Sequence, residues 1–138
     1  MKKNGFTLLE ILVVISIIAI LVALGTAAYS TAQKKGRDAR RQSDIKAVQN
    51  GFEQYYTKNS AYPATLTQAN DATFFPAGLP KDPKNTGNNV YTFNMGAGGF
   101  CICALLESGT GNASALPASG ATTCSYGTGN YYCLSNLQ

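Results

Sequence analysis

The chain has no histidine among its 138 residues. That removes imidazole as a general base, a triad member or a metal ligand. Charge is sparse too: Asp, Glu, Lys and Arg make up 13% of the residues, and only seven residues are acidic. One of these, Glu10, stands inside an apolar run, while Asp38, Asp44 and Glu53 lie among bases on one helical stretch. None is placed to form a carboxylate dyad. Gly96-Ala97-Gly98-Gly99 leads into an apolar strand rather than a helix, so it lacks the context of a phosphate-cradling loop. These absences argue against an enzyme and call for no cofactor. Proline is missing until Pro63, which leaves the first 60 or so residues free of helix breakers.

What is present begins at the N-terminus. Lys2-Lys3-Asn4-Gly5-Phe6-Thr7-Leu8-Leu9-Glu10 is followed by an almost unbroken apolar stretch. From Phe6 to about Ala28 the chain is long enough to cross a bilayer as a helix, with Ser16 and Thr26 as polar interruptions. Ile11, Val13, Val14, Ile15, Ile17, Ile18 and Ile20 are apolar around the whole circumference, as lipid or a helix bundle demands. A carboxylate in such a segment costs several kcal/mol unless paired, so Glu10 needs a purpose.

The run Gly5-Phe6-Thr7-Leu8-Leu9-Glu10 with its apolar helix resembles the class III signal of type IV pilins and pseudopilins. The resemblance implies cleavage after Gly5 by a dedicated prepilin peptidase, which also N-methylates Phe6. It implies a role for Glu10 in assembly, its carboxylate neutralised by the Phe6 amine of a neighbouring subunit. The competing reading is an ordinary secretory signal, with Lys2 and Lys3 as its basic region and Thr26-Ala27-Ala28 as its cleavage site. That reading leaves Glu10 without a purpose. If Lys2 and Lys3 leave with the leader, the formal net charge of +4 falls by two in the mature side chains, a balance that says little about nucleic acid. Family members with proline or glycine near the twenty-second mature position can lose helix there in a fibre. This chain has Ala27 there, and the nearby Gly25 is the candidate melting point.

The helical pattern continues to about Asn59, giving ~50 residues or ~80 Å. Ile45, Val48, Phe52 and Tyr55 form one apolar stripe, expected to pack on a small sheet rather than in a coiled coil. Asn59-Ser60-Ala61-Tyr62-Pro63 stops the helix. Together with Leu79-Pro80-Lys81-Asp82-Pro83 and a strand containing Tyr91, that exit resembles the corresponding region of pilins and major pseudopilins. Pro80 and Pro83 read as stiffeners without a binding role. Pseudopilins of general secretion carry a calcium loop near the C-terminus. Here the only acid after Tyr91 is Glu107, so no calcium or other metal site is carried over.

Strands are expected at Asn89–Asn94, Gly99–Leu106 and Tyr131–Leu134, separated by a Gly/Ser/Thr/Ala loop over 107–129. Asn112-Ala113-Ser114 matches a glycosylation sequon, a pattern common by chance. Cys101, Cys103, Cys124 and Cys133 all lie in this half and read as two disulfides. Zinc is the rival, disfavoured because paired Cys-X2-Cys hairpins are missing. Three connectivities are open. A nested one, Cys101 with Cys133 and Cys103 with Cys124, suits an antiparallel return and would staple the C-terminus as disulfides do in many pilins.

Lys34, Lys35, Arg37, Arg40, Arg41 and Lys46 face Asp38 and Asp44, a local net of +4. The positive-inside bias would place this side in the cytoplasm, whereas the leader and the cysteines require export. Three roles compete for these bases: a solvated helical face with partners such as Asp38–Arg41 and Asp44–Arg40, salt bridges between stacked subunits, or DNA contacts along a fibre.

The expectation is an α+β chain: leader 1–5, transmembrane and assembly helix 6–28, amphipathic continuation 29–59, and a globular head 60–138 with an antiparallel sheet. The implied function is a prepilin that waits in the membrane, head outside the cytoplasm. It then polymerises, on an inner-membrane assembly platform, into an extracellular pilus-like filament for adhesion, motility or DNA uptake. Alternatives are a major pseudopilin of a secretion system, a minor pilin that binds DNA or a host surface, and a membrane-anchored domain that never polymerises.

Overall fold

The computed structural model describes residues 5–138, so the basic leader residues Lys2 and Lys3 lie outside the described residues. The elements are α1 (Leu8–Asn59), α2 (Leu66–Ala69), β1 (Thr92–Gly96), β2 (Gly99–Leu105) and β3 (Tyr131–Ser135). The chain divides into two compact units, Met1–Lys34 and Lys35–Gln138. The architecture is α+β, as the sequence implies.

Helix α1 starts at Thr7, whose hydroxyl accepts the Glu10 amide at 3.2 Å. It ends where proline chemistry predicts. Ser60 takes a left-handed φ of 55° and its amide donates to the Tyr56 carbonyl at 2.7 Å, closing the last turn. The Tyr62 amide then reaches the carbonyl of Ala97 at the hairpin tip.

Strands β1 and β2 form a hairpin with Gly96 opposite Gly99, and β3 returns antiparallel on the other edge of β2. The first strand begins three residues later than the sequence suggests. Asn89 is drawn instead into a turn, its amide donating to Thr86 and Gly87 between them adopting a positive φ.

Alternation along the central strand sends Phe100, Ile102 and Ala104 to one face and Cys101 and Cys103 to the other. The first face packs on Ile45, Val48 and Phe52 of α1, all fully buried, with the Phe52 and Phe100 rings edge to face at 5.0 Å. The stripe read from the sequence is therefore the core stripe, except that Tyr55 is only half-buried and stacks outward on Phe74. Gly51 is buried within this stripe, and the Phe75 ring occupies the place a Cβ would fill.

The second face of the sheet is covered by the long loop. It is held by bridges Gly111–Gly129 and Ala113–Tyr131. It is also held by Asn112, whose side chain accepts the Cys133 amide at 2.7 Å and donates to the Cys133 carbonyl at 2.8 Å. The sequon asparagine thus stands in for a strand residue.

The disulfides are Cys101–Cys124 and Cys103–Cys133. This corrects the nested pairing. Cys133 lies directly opposite Cys103 in the β2–β3 register, while Ser135 lies opposite Cys101. Cys101 is therefore left to bind the loop.

Candidate functional site

The N-terminal unit carries the first candidate surface. From Leu8 to Leu24 its large apolar side chains are solvent-exposed on every side, from 47% at Val13 to 84% at Leu8. The most apolar 18-residue window of α1 has a mean hydropathy of 2.9. Its polar side chains are turned back onto the helix, the Ser16 hydroxyl donating to the Leu12 carbonyl and Thr26 to Ala23. Neither hydroxyl is left unsatisfied in an apolar medium. Helix α1 is continuous through Gly25, and nothing lies within 4 Å of where a Cβ there would be.

Glu10 occupies the first turn of α1 and is exposed. Its negative charge meets the positive end of the helix dipole, a local interaction worth ~0.3–1 kcal/mol. Thr7-Leu8-Leu9-Glu10 has the spacing of a capping box. Among the described residues, no cation lies within ion-pair distance of its carboxylate.

The second candidate is a buried ion cluster in the unit from Lys35 onward. Asp38 and Arg41 continue the buried stripe of α1 upstream of Ile45, at the same 3-and-4 spacing, and both are buried. The Arg41 guanidinium is wholly enclosed. Its Nε donates to Asp82 Oδ2 at 2.6 Å and its Nη2 to Asp82 Oδ1 at 3.0 Å. Nη1 donates to Asp38 at 2.8 Å and to Glu107 at 2.9 Å. Arg37 forks onto the two Glu107 oxygens at 2.7 Å each, and Lys84 reaches Glu107 Oε2 at 2.9 Å.

Three cations, Arg37, Arg41 and Lys84, thus balance three carboxylates, Asp38, Asp82 and Glu107. The remaining carboxylate lone pairs are met by the backbone. Asp38 accepts the amides of Glu107 and Ser108, both at 2.9 Å, and Asp82 accepts that of Lys84 at 2.8 Å. Among the described residues no buried side-chain nitrogen or oxygen lacks a partner.

The titration behaviour follows from these contacts. Arg37, helped by Lys84 and Arg41, holds the Glu107 carboxyl far below the usual carboxylate range, against the opposing push of burial. Burial raises Asp82, but Arg41 and the Lys84 amide outweigh it and the net shift is downward. Asp38 is likewise raised by burial and lowered further by the Glu107 and Ser108 amides and by Arg41. Its bond to Asp82 raises Arg41, although burial pulls the other way.

The structure redistributes the basic residues read from the sequence. Lys34, Lys35 and Arg40 are exposed, Arg40 lying 3.9 Å from Asp44. Arg37 is committed to Glu107. Arg41 is fully buried, which leaves it no surface for a neighbouring subunit or for DNA and corrects that assignment. Asp82 and Glu107 are the residues the sequence reading missed. The Pro80–Pro83 loop was expected only to stiffen the chain, yet it presents the carboxylate that grips Arg41 with both oxygens.

Among the described residues the cysteines are the one cluster with metal-ligand spacing, and all four are disulfide-bonded. No cofactor site is formed by the ion cluster, whose carboxylates are already neutralised by side chains.

Residues 1–26 match the family model described as the prokaryotic N-terminal methylation motif. The chain is 33% identical over 90 residues to the type II secretion system core protein G of Pseudomonas aeruginosa, covering 65% of this chain and 63% of that protein. To the protein of the same name from Escherichia coli it is 41% identical over 64 residues, covering 46% and 44%. It thus spans less than two thirds of the length of either secretion protein. To the type IV wide pilus major component PilA4 of Thermus thermophilus it is 30% identical over 119 residues, covering 86% of each chain. With that identity over that share of both chains, the chain belongs to the type IV pilin and pseudopilin family.

Proposed function

We propose that this chain is a prepilin whose mature form polymerises through α1 into an extracellular type IV pilus-like filament. The observation that carries the reading is the apolar stretch of α1, exposed around its circumference within a chain that also forms a folded, disulfide-bonded unit. Such a helix is stable in lipid or among like helices, and a filament core supplies the second once the membrane has supplied the first. The two disulfides support a head outside the cytoplasm, which outweighs the positive-inside bias of Lys34 to Lys46. Cleavage after Gly5 exposes the amine of Phe6, which is then methylated. In the filament that amine neutralises Glu10 of an adjacent subunit. Lys34, Lys35 and Arg40 are available on the outside of the helix for contacts between subunits or with DNA or a host surface. Gly25 is where α1 can yield on packing.

A second reading, a pseudopilus subunit of a secretion system, is favoured by the several secretion relatives. Alignment over most of both chains to a wide-pilus component favours the pilus. The test is intact mass and N-terminal sequencing of the membrane and filament pools. Both should begin at N-methylated Phe6. A terminus at Tyr29, as an ordinary signal peptidase would leave, overturns the reading.

A further inference from the structure

One open pocket lies wholly within the folded unit from Lys35 onward, where α1 meets the loop after β2. Its volume is about 250 Å³, and it is lined by Lys35, Asp38, Ala39, Gln42, Ser108 and Thr110. At about 30 Å³ per water, that is room for a phosphate group and several waters. Hydrogen-bond donors dominate the lining. Lys35 is exposed, and among the described residues no carboxylate lies within ion-pair distance of its ammonium. The Gln42 side chain makes no hydrogen bond among the described residues, so its N–H groups are free to donate. The Ser108 and Thr110 hydroxyls share one bond of 3.0 Å in which either can be the donor. When Ser108 donates, the Thr110 proton can turn into the pocket.

Asp38 is the one acid in the lining, and its charge is already met. Arg41 and the Glu107 amide bind its Oδ1, and the Ser108 amide binds its Oδ2. Because the ion cluster balances its own carboxylates, the charge of Lys35 is left in excess. An uncompensated ammonium beside amide and hydroxyl donors suits an oxyanion, which accepts from several sides at once. A cation would be repelled by Lys35, and an apolar group would leave these donors unpaired.

The place of the pocket in the chain says which oxyanion. The apolar segment ends at about Ala28, and Lys35 follows it by seven residues (28 to 35). Even fully extended, seven residues cover at most about 25 Å. The Lys35 end of the folded unit therefore stays near the surface of any bilayer that holds the segment. Tyr29, 70% exposed, stands at the boundary, where aromatic residues anchor membrane spans. We infer that this pocket binds the phosphate of an anionic phospholipid headgroup while the subunit waits in the membrane. The inference rests on the reading of α1 as a membrane anchor and not on polymerisation.

The experiment uses the full oxidised chain, isotopically labelled for NMR, in uncharged maltoside micelles and phosphate-free buffer. It is titrated in parallel with short-chain phosphatidylglycerol, with phosphatidylcholine of the same chain length and with inorganic phosphate. Phosphatidylglycerol should give saturating amide shifts at Lys35, Gln42, Ser108 and Thr110, and the other two should bind more weakly. Lys35→Gln should weaken its binding about fivefold, the effect of one basic residue at an anionic lipid surface. Lys46→Gln, at an exposed lysine outside the pocket, should leave binding unchanged. Gln42→Ala and Thr110→Val should each weaken it with the net charge unaltered. Equal affinity for inorganic phosphate assigns the site to the free ion and overturns the lipid inference. Shifts that bypass Ser108 and Thr110, or equal losses from Lys35→Gln and Lys46→Gln, overturn it as well. A chain that gel filtration shows to stay outside the micelles overturns the anchor reading itself, and the inference with it.

Discussion

Replacing Arg41 by alanine removes the one cation that touches all three carboxylates, the buried Asp38 and Asp82 and the half-buried Glu107. Glu107 keeps Arg37 and Lys84. Asp38 keeps the Glu107 and Ser108 amides. Asp82 loses its cation and keeps only backbone donors. Breaking a buried pair by removing one partner costs ~3–5 kcal/mol, a large part of the ~5–15 kcal/mol that holds an ordinary domain. At ~4–8 °C per kcal/mol for a domain of this size, the transition should fall by ~12–40 °C. Arg41→Lys should be intermediate, since one ammonium cannot fork onto Asp82 while reaching Asp38 and Glu107.

The pH dependence gives a second check. The folded-state pKa values of Asp38, Asp82 and Glu107 are depressed, so their stabilisation is present above the unfolded value near 4. It is lost as pH falls through the folded values. In Arg41→Ala, protonation relieves stranded charge, so the gap from wild type should narrow as pH drops below about 4. The assay is thermal and urea denaturation of the oxidised full chain in micelles from neutral to acid pH. An Arg41→Ala chain within ~1 kcal/mol of wild type at neutral pH would refute the assignment of the cluster as the clamp between α1, the Pro80–Pro83 loop and the end of β2.

Gly51→Ala should destabilise by ~1–3 kcal/mol through overpacking against Phe75, and Phe75→Leu in the same chain should recover part of the loss in urea titrations. Tyr91, raised first by burial and then by its 2.7 Å bond to Asp44, should ionise after the exposed tyrosines. Tyr62 is pushed up to about 12 by burial and by Glu53. The stability both confer is present below pH ~10 and lost above it, so ultraviolet titration should show late phenolate absorption that Tyr91→Phe reduces. Peptide mapping should return Cys101–Cys124 and Cys103–Cys133. Cys124→Ser should cost about 3 kcal/mol by freeing a loop of this length in the unfolded chain, with faster proteolysis between 107 and 129.

The long helix, its stop before Pro63, the Ile45, Val48 and Phe52 stripe and the two later strands are all legible in the sequence, because periodicity and turn chemistry are local signals. The ion cluster is not, for a specific reason. Asp38 and Arg41 sit on the same stripe as Ile45 and Val48, but charged residues at core positions read as a solvated face until their partners are known. Those partners, Asp82 and Glu107, lie 41 and 66 residues from Arg41. The spacing of Asp38, Arg41, Ile45, Val48 and Phe52 was the available signal. The disulfide connectivity failed similarly. It depends on register, and placing Cys133 opposite Cys103 rather than Cys101 takes a shift of two residues that no local pattern fixes.

The filament claim rests most directly on Glu10. On the proposed pairing of Glu10 with the Phe6 amine of another subunit, Glu10→Ala strands that charge in an apolar core, at ~3–5 kcal/mol per subunit. Glu10→Gln keeps the shape and the capping-box geometry but not the charge, and it separates assembly from helix capping. The measurement is sheared-filament yield against membrane-pool abundance for wild type, Glu10→Gln and Glu10→Ala. Loss of filaments from Glu10→Ala, an intermediate yield from Glu10→Gln and an undiminished membrane pool are expected, because the inserted monomer is relieved of a carboxylate. Filaments at wild-type yield from Glu10→Ala would contradict the account.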